Sequence, residues 1–262
     1  MILDTLAEST RIRVEKAKKE IPLSEVKQQA SLVHKQAFAF EKALKNGHEK
    51  KGISFICEVK KASPSKGIIA ENFPYLEIAK EYEKIGADCL SVLTEPEYFK
   101  GNNEYLREIA GNVSIPILRK DFTMDEYMIY EAKALGADAI LLIMAILSDH
   151  QVEEYLALSD SLGLSALVEA HDEEEIRRAV KAGARIIGVN NRNLKDFSVD
   201  VNNCISLRNS IPNGILTVAE SGIRGEDEVA SIKNAKIDAV LIGETLMRSE
   251  NREKTIKKLR GE

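Results

Sequence analysis

No stretch of this 262-residue chain is long and apolar enough for a helical membrane span: the longest uninterrupted apolar run, Ala139 to Leu147, is about half of what a bilayer requires. Cysteine is scarce. Cys57, Cys89 and Cys204 form no CxxC pair and no His/Cys ligand spacing, which argues against a disulfide framework and against a zinc site. Cys57 and Cys89 lie inside apolar runs and read as small core residues, so a reducing, cytoplasmic setting is expected. The four histidines (His34, His48, His150 and His171) are scattered and are expected at the surface, leaving no metal-binding set. A basic excess is also missing: the net charge is −5, which argues against a nucleic-acid surface while leaving room for a local basic pocket. The amino terminus has early acidic residues and no apolar block before a small-residue cleavage site, so no secretory signal is expected.

What is present is a repeat. Eight apolar runs recur from residue 50 onward: SFICEVK (54–60), DCLSVLT (88–94), IPILRK (115–120), DAILLIM (138–144), SALVEA (165–170), RIIGVN (185–190), ILTVAE (215–220) and DAVLIG (238–243). Near-continuous apolar runs of this length predict strands covered on both faces, as in a parallel sheet. Between them the spacing turns helical. In YLEIAKEYEKIGAD, Leu76, Ala79, Tyr82 and Ile85 share a stripe and Gly86 ends it; ALGAD and AGAR repeat that ending just before a strand. Eight such units predict an α/β fold, a (β/α)8 TIM barrel of one domain over 51–262. An open doubly wound sheet is the rival, but the GxGxxG fingerprint expected after its first strand is missing. Residues 1–50 stand outside the repeat as an N-terminal helical extension. Two helices, in LAESTRIRVEKAKK and SEVKQQASLVHKQAFAFEKALK, are expected there, separated at Ile21-Pro22. The extension reads equally as a barrel cap or as a solvated appendage.

Barrels place their active sites at the carboxyl ends of the strands, with alternate side chains pointing inward. Here those ends carry chemistry: Glu58 and Lys60, then Arg119-Lys120-Asp121, Glu169, Asn190-Asn191-Arg192, Glu220-Ser221-Gly222 and Gly243, whereas the strand starts carry little beyond turn residues. Taken singly, each has an ordinary reading. A lysine at a strand end reaches solvent, Glu169 could cap the next helix, and glycines after strands are turns. Six strands ending this way together are harder to explain structurally, because buried charges are costly unless paired or used. Gly222, Gly243 and the hydroxyl of Ser63 in SPSKG suit a phosphate held by backbone N–H groups. Lysine and glutamate suit acid–base work once burial tunes them.

The motifs FICEVKKASPSKG, SVLTEPEYFKG, IPILRKDF, ALVEAH, IGVNNRNL, VAESGI and LIGETLM, in this order, resemble the indole-3-glycerol phosphate synthase family over nearly the whole chain. The resemblance implies a lyase of tryptophan biosynthesis that acts on 1-(2-carboxyphenylamino)-1-deoxyribulose 5-phosphate, with no cofactor and no metal. It implies Lys120 as the general acid for the carbonyl oxygen and Glu169 as general base or stabiliser of a cationic intermediate. Lys60 would meet the substrate carboxylate and act as a second acid, with Glu58 tuning it and assisting dehydration, and Asn190 would position hydroxyls. Arg192 and Glu220 would hold the polar network, Ser63, Gly222 and Gly243 the phosphate, and Ser221 would lie beside the substrate. Phe99, Phe122, Leu141 and Leu194 match positions lining the aryl pocket. Glu244 stands where some members have serine, so a side-chain hydroxyl for the phosphate is missing there.

Two rival readings remain: a related barrel such as phosphoribosylanthranilate isomerase, whose Cys/Asp acid–base pair has no counterpart at these strand ends, and a non-catalytic sugar-phosphate binder. The partners expected are a small anionic substrate, no nucleic acid and no membrane, with the chain a monomer or weak homo-oligomer.

Overall fold

Eight parallel strands close into a barrel: β1 (Ser54–Val59), β2 (Cys89–Leu93), β3 (Ile117–Lys120), β4 (Ala139–Ile143), β5 (Ser165–Ala170), β6 (Ile186–Asn190), β7 (Leu216–Glu220) and β8 (Ala239–Ile242). Each strand pairs with the next in sequence, and β8 returns to β1 with Cys57 opposite Ile242. The computed structural model describes residues 2–193 and 197–262. The sequence-predicted strands and the barrel are observed; β5 has the predicted bounds and each of the other seven is trimmed by a residue or two at its ends.

Parity along the strands separates two apolar layers. Phe55, Cys57 and Val59 on β1 face outward into the helix–sheet core with Leu90, Val92, Ile140 and Leu142. Ile56, Cys89, Leu118, Leu141, Leu167, Ile186, Val218 and Leu241 fill the barrel interior. All three cysteines are buried, free thiols. Helices α4 (Tyr75–Lys84), α5 (Asn103–Ala110), α6 (Glu126–Ala134), α7 (Asp149–Ser161), α8 (Glu173–Lys181), α9 (Asn202–Leu207) and α10 (Glu226–Asn234) connect successive strands, and α11 (Glu244–Met247) and α12 (Arg252–Arg260) follow β8. Asn102, Asp125, Ser148 and Asp172 cap their helices with side-chain hydrogen bonds, which satisfies first-turn N–H groups facing the loops that carry the site.

The strand starts hold more than turns. Asp88, Asp138 and Asp238 each accept the backbone N–H of a neighbouring strand, from Phe55, Ile117 and Thr217 respectively. Lys51 and Lys35 neutralise the first two at 2.7 and 2.6 Å, so the lower rim is stitched by acidic side chains whose role is structural.

The amino-terminal extension departs from expectation in one respect. The segment predicted as a single second helix is two, α2 (Leu23–Ser31) and α3 (Ala39–Lys51), after α1 (Ile2–Glu20). No proline or glycine breaks it. Phe38 adopts a left-handed conformation, its N–H donates to the Gly163 carbonyl, and Arg185 stacks on its ring, so contacts with the barrel override local helix propensity. The extension also caps the barrel. Phe40 and Leu44 of α3 are fully buried in the interior cluster, each contributing about 2–3 kcal/mol of burial, and Leu3 and Leu6 of α1 join the same cluster near Phe122.

Candidate active site

Above the apolar interior the barrel changes character within one side-chain layer. Ile56, Leu118, Leu167 and Val218 lie on the odd-numbered strands, and two residues further along the same strands, on the same inward face, stand Glu58, Lys120, Glu169 and Glu220. All four line a cavity of about 760 Å³ at the carboxyl ends of the strands. Lys120 Nζ lies 3.0 Å from Glu169 Oε2 and 3.2 Å from Glu220 Oε2, a cation bridging two carboxylates across the barrel. Lys60 Nζ lies 2.5 Å from Glu58 Oε2. Asn190 Nδ2 donates to the other oxygen of Glu169 at 3.1 Å, and Asn190 Oδ1 accepts the Arg192 backbone N–H.

The electrostatics follow from this packing. Burial alone would lower the pKa of Lys120, but Glu169, Glu220 and Glu58 outweigh it and hold the ammonium well above its usual value. Burial would raise Glu169; Lys120, His171 and Asn190 overcome that and keep it a carboxylate far below the usual range. Glu220 goes the other way: burial, reinforced by the charges of Glu169 and Glu58, pushes it up to about 7 despite Lys120. Two neighbouring carboxylates pushed apart in this way, with a lysine between them, are suited to acid–base work near neutrality.

Of the residues singled out from the sequence, Ser63, Phe99, Phe122, Leu141, Arg192, Ser221, Gly222 and Gly243 line the same cavity as the five charged and amide groups and Glu220. Leu194 lies outside the described residues. Phe99 and Phe122 face each other at 6.2 Å on the β2–β4 side, and the glycine turns after β7 and β8 lie on the other side of the barrel. Ser221 and Gly222 both have positive φ, which turns the chain sharply at the cavity rim. Gly243 has a further reason to be glycine: a Cβ there would fall 2.3 Å from Glu58 Oε2 and 2.8 Å from Lys60 Nζ. Glu244, in place of the hydroxyl, pairs with Arg248 at 3.0 Å, and both line the cavity.

The expectation that the histidines are surface residues fails for His171. Its side chain is 15% exposed, with Nε2 3.3 Å from Glu169 Oε1 and Nδ1 3.0 Å from Glu175 Oε2. Glu169 is correspondingly no helix cap, since Asp172 caps α8. Sequence reasoning also missed Glu95, which lines the cavity and accepts the N–H groups of Glu97, Tyr98 and Phe99, fixing the loop that presents Phe99. Leu93 and Glu95 continue the inward alternation of β2, a signal available in the sequence. Leu3 and Leu6, and the pair formed by Arg13 and Asp121, carried no such signal. Among the described residues, no group of three or more His, Cys, Asp or Glu side chains is arranged to hold a metal ion, and no helix is long and apolar enough to cross a membrane.

Comparison with known proteins gives the family. A family model described as indole-3-glycerol phosphate synthase matches residues 3–259. The chain is 56% identical over 262 residues to the indole-3-glycerol phosphate synthase of Ruminiclostridium cellulolyticum, covering 100% of this chain and 99% of that protein. It is 52% identical to that of Endomicrobium trichonymphae, covering 99% and 100%. Among solved structures, a 3-hexulose-6-phosphate synthase aligns with a TM-score of 0.66 at 12% identity, covering 80% of this chain and 99% of that one, a likeness of fold alone. With a match spanning nearly every residue and an ionic layer at the strand ends, the chain belongs to the indole-3-glycerol phosphate synthase family.

Proposed function

We propose a division of labour for the reaction that family membership gives this chain: ring closure of 1-(2-carboxyphenylamino)-1-deoxyribulose 5-phosphate to indole-3-glycerol phosphate, with loss of CO2 and water. The observation that carries the proposal is Lys120, an ammonium held between Glu169 and Glu220 inside a cavity with aromatic side chains on one flank. The aryl carbon bearing the carboxylate attacks the ribulose carbonyl, and Lys120 delivers a proton to the carbonyl oxygen as the C–C bond forms. Its pKa, raised by the carboxylates around it, keeps the proton on Lys120 until that oxygen gains charge. Loss of CO2 returns the electron pair to the ring. The new hydroxyl then leaves as water with a proton from Lys60, assisted by Glu58, while Glu169 accepts the proton released as the indole double bond forms.

Before ring closure, Lys60 faces the substrate carboxylate and Asn190 the hydroxyls. Arg192 and Glu220 brace the polar network, and Ser221 lies beside the substrate. Phe99, Phe122 and Leu141, with Leu194 from outside the described residues, enclose the aryl ring. Ser63, Gly222 and Gly243 hold the phosphate. Lysine and glutamate side chains supply every proton transfer in this scheme, which needs no cofactor. The reading takes residues 51–262 as one barrel domain with residues 1–50 as its extension, a view supported by Phe40 and Leu44 filling the barrel's own interior. It places the protein in the cytoplasm as a monomer or weak homo-oligomer, supported by three free, buried thiols and by a cavity that one chain lines by itself.

The test is an assay of indole fluorescence with the carboxyphenylamino substrate, run on wild type, Lys120→Ala and Glu169→Gln. Wild type should produce indole-3-glycerol phosphate, read by the fluorescence of its indole ring, and each variant should lose about 10²–10⁴-fold in kcat. No such product from wild type would sink the activity, and full turnover by either variant would sink that residue's role.

A further inference from the structure

Glu169 has two basic neighbours, and the reaction scheme uses only one of them. Lys120 meets Oε2; on the other side, His171 Nε2 stands 3.3 Å from Oε1. His171 follows Glu169 by two residues, just past the end of β5, and its imidazole packs between Glu169 and Glu175. Its ring is held from behind: Glu175 on α8 takes both the His171 backbone N–H at 2.8 Å and Nδ1 at 3.0 Å. Glu175 is itself fixed, because its backbone N–H donates to the capping carboxylate of Asp172. From α9, Asn203 Nδ2 lies 3.4 Å from the His171 carbonyl and 3.3 Å from that of Asn190, tying the end of β5 to the end of β6. The groups facing the imidazole are therefore two carboxylates, one from β5 and one from α8, with the amide of Asn203 at its backbone.

We propose that His171, anchored by Glu175, is a positioning residue that aims Glu169 into the cavity and serves as its second counter-cation. The proposal rests on the assignment of Glu169 as the base. Its physical point is the moment at which Lys120 gives up its proton: one of the two positive charges beside Glu169 disappears, and a fixed cation on Oε1 keeps the carboxylate from taking that proton back. Burial opposes a charged imidazole, but Glu169 and Glu175 outweigh it and push the His171 pKa up to about 10, so the charge is in place throughout the neutral range. Nε2 is buried, with Glu169 Oε1 at 3.3 Å as its facing carboxylate oxygen. The alternative is that His171 and Glu175 merely secure the first turn of α8.

Two measurements on the full chain separate these readings. The ring ¹⁵N resonances of His171 should show a doubly protonated imidazole in wild type at about pH 8, and that proton should be lost at lower pH in Glu169→Gln. A neutral ring in wild type at that pH, or a titration unchanged in Glu169→Gln, overturns the pairing. In His171→Gln, kcat should fall about tenfold with KM changed less than about twofold, and the acid limb of the kcat/KM profile should move up by about one pH unit. Glu175→Gln, whose amide oxygen still accepts the backbone N–H, should move that limb the same way by less. A lowered Tm with an unmoved acid limb overturns the proposal in favour of helix capping. Should Glu169→Gln retain full activity, the base assignment fails, while the ¹⁵N titration still reports on the ion pair. The resonance measurement also stands if His171→Gln does not fold.

Discussion

A methyl group on residue 188 would lie 2.0 Å from Oε1 of Glu220, so β6 carries glycine where the carboxylate of β7 needs its space. Gly188 is paired in register with Glu169 on one side and Val218 on the other, in the middle of the sheet, where glycine otherwise weakens a strand. Its φ is not left-handed, so alanine is compatible with the backbone; what opposes it is the collision with Glu220, together with a tight 3.1 Å approach to Leu167 Cδ1.

Gly188→Ala should therefore fold. It should rotate Glu220 away from its seat and disturb the bridge to Lys120, lowering kcat/KM by about tenfold or more, an effect comparable with removing one polar contact in a catalytic network. Steady-state kinetics beside a thermal melt checks this, and unchanged kinetics would show that the position of Glu220 is unimportant.

Gly243→Ala applies the same logic to the first strand. The added methyl would press on Glu58 Oε2 and Lys60 Nζ at the point where the two meet. Lys60 should be driven off Glu58, and kcat/KM should drop by about 10²-fold, near the loss from removing an acid. A reduced effect of Gly243→Ala in a Lys60→Ala background would show that the two changes act on one pair.

Glu220 makes the stability of the protein depend on pH. An unfolded glutamate ionises near 4.5, whereas in the folded chain burial raises this carboxyl to about 7. Between those values the folded form keeps a proton that the unfolded form has released, so the contribution of this group to stability falls as pH rises from about 4.5 to about 7. Above that window it is constant. Glutamine does not titrate, and Glu220→Gln should therefore gain Tm relative to wild type steadily across the window while losing activity. Melts at intervals of about half a pH unit would reveal the trend; a difference that shrinks with rising pH would have the wrong sign.

How much of this was legible depended on whether the deciding contact is local. Glu58 and Lys60 announce themselves, because a spacing of two puts both charges on one face of a strand that buries its remaining residues. His171 stands at the same spacing from Glu169, yet it lies past the end of β5 and its second partner, Glu175, belongs to α8, so the strand pattern does not mark it. The break between α2 and α3 is invisible in the sequence, since Phe38 is held by Gly163 and Arg185, each more than a hundred residues away. The rim aspartates Asp88, Asp138 and Asp238 looked like turn residues because their partners lie on adjacent strands. Strand ends can be read from alternation; pairings across the barrel need the fold.

The pair least visible in the sequence yields the last prediction. Arg13 on α1 grips both oxygens of Asp121 at 3.0 and 2.6 Å across 108 residues of chain. Asp121 is buried and also accepts from Thr94 and from the Phe122 N–H, so it sets the path of the loop just after Lys120. Arg119 offers it only a more distant charge at 3.7 Å. Arg13→Met leaves a buried carboxylate short of its main partner and should cost about 3 kcal/mol of stability, the lower end for breaking a buried ion pair. Because the loop it releases carries Phe122 and adjoins Lys120, kcat/KM should fall several-fold as well. Adding Asp121→Asn to Arg13→Met should cost little more, since the unpaired charge is then gone and the Asn carbonyl still accepts the Phe122 N–H. Denaturant unfolding of the two single variants and the double variant measures the coupling, and strictly additive losses would mean that α1 does not hold the loop through this pair.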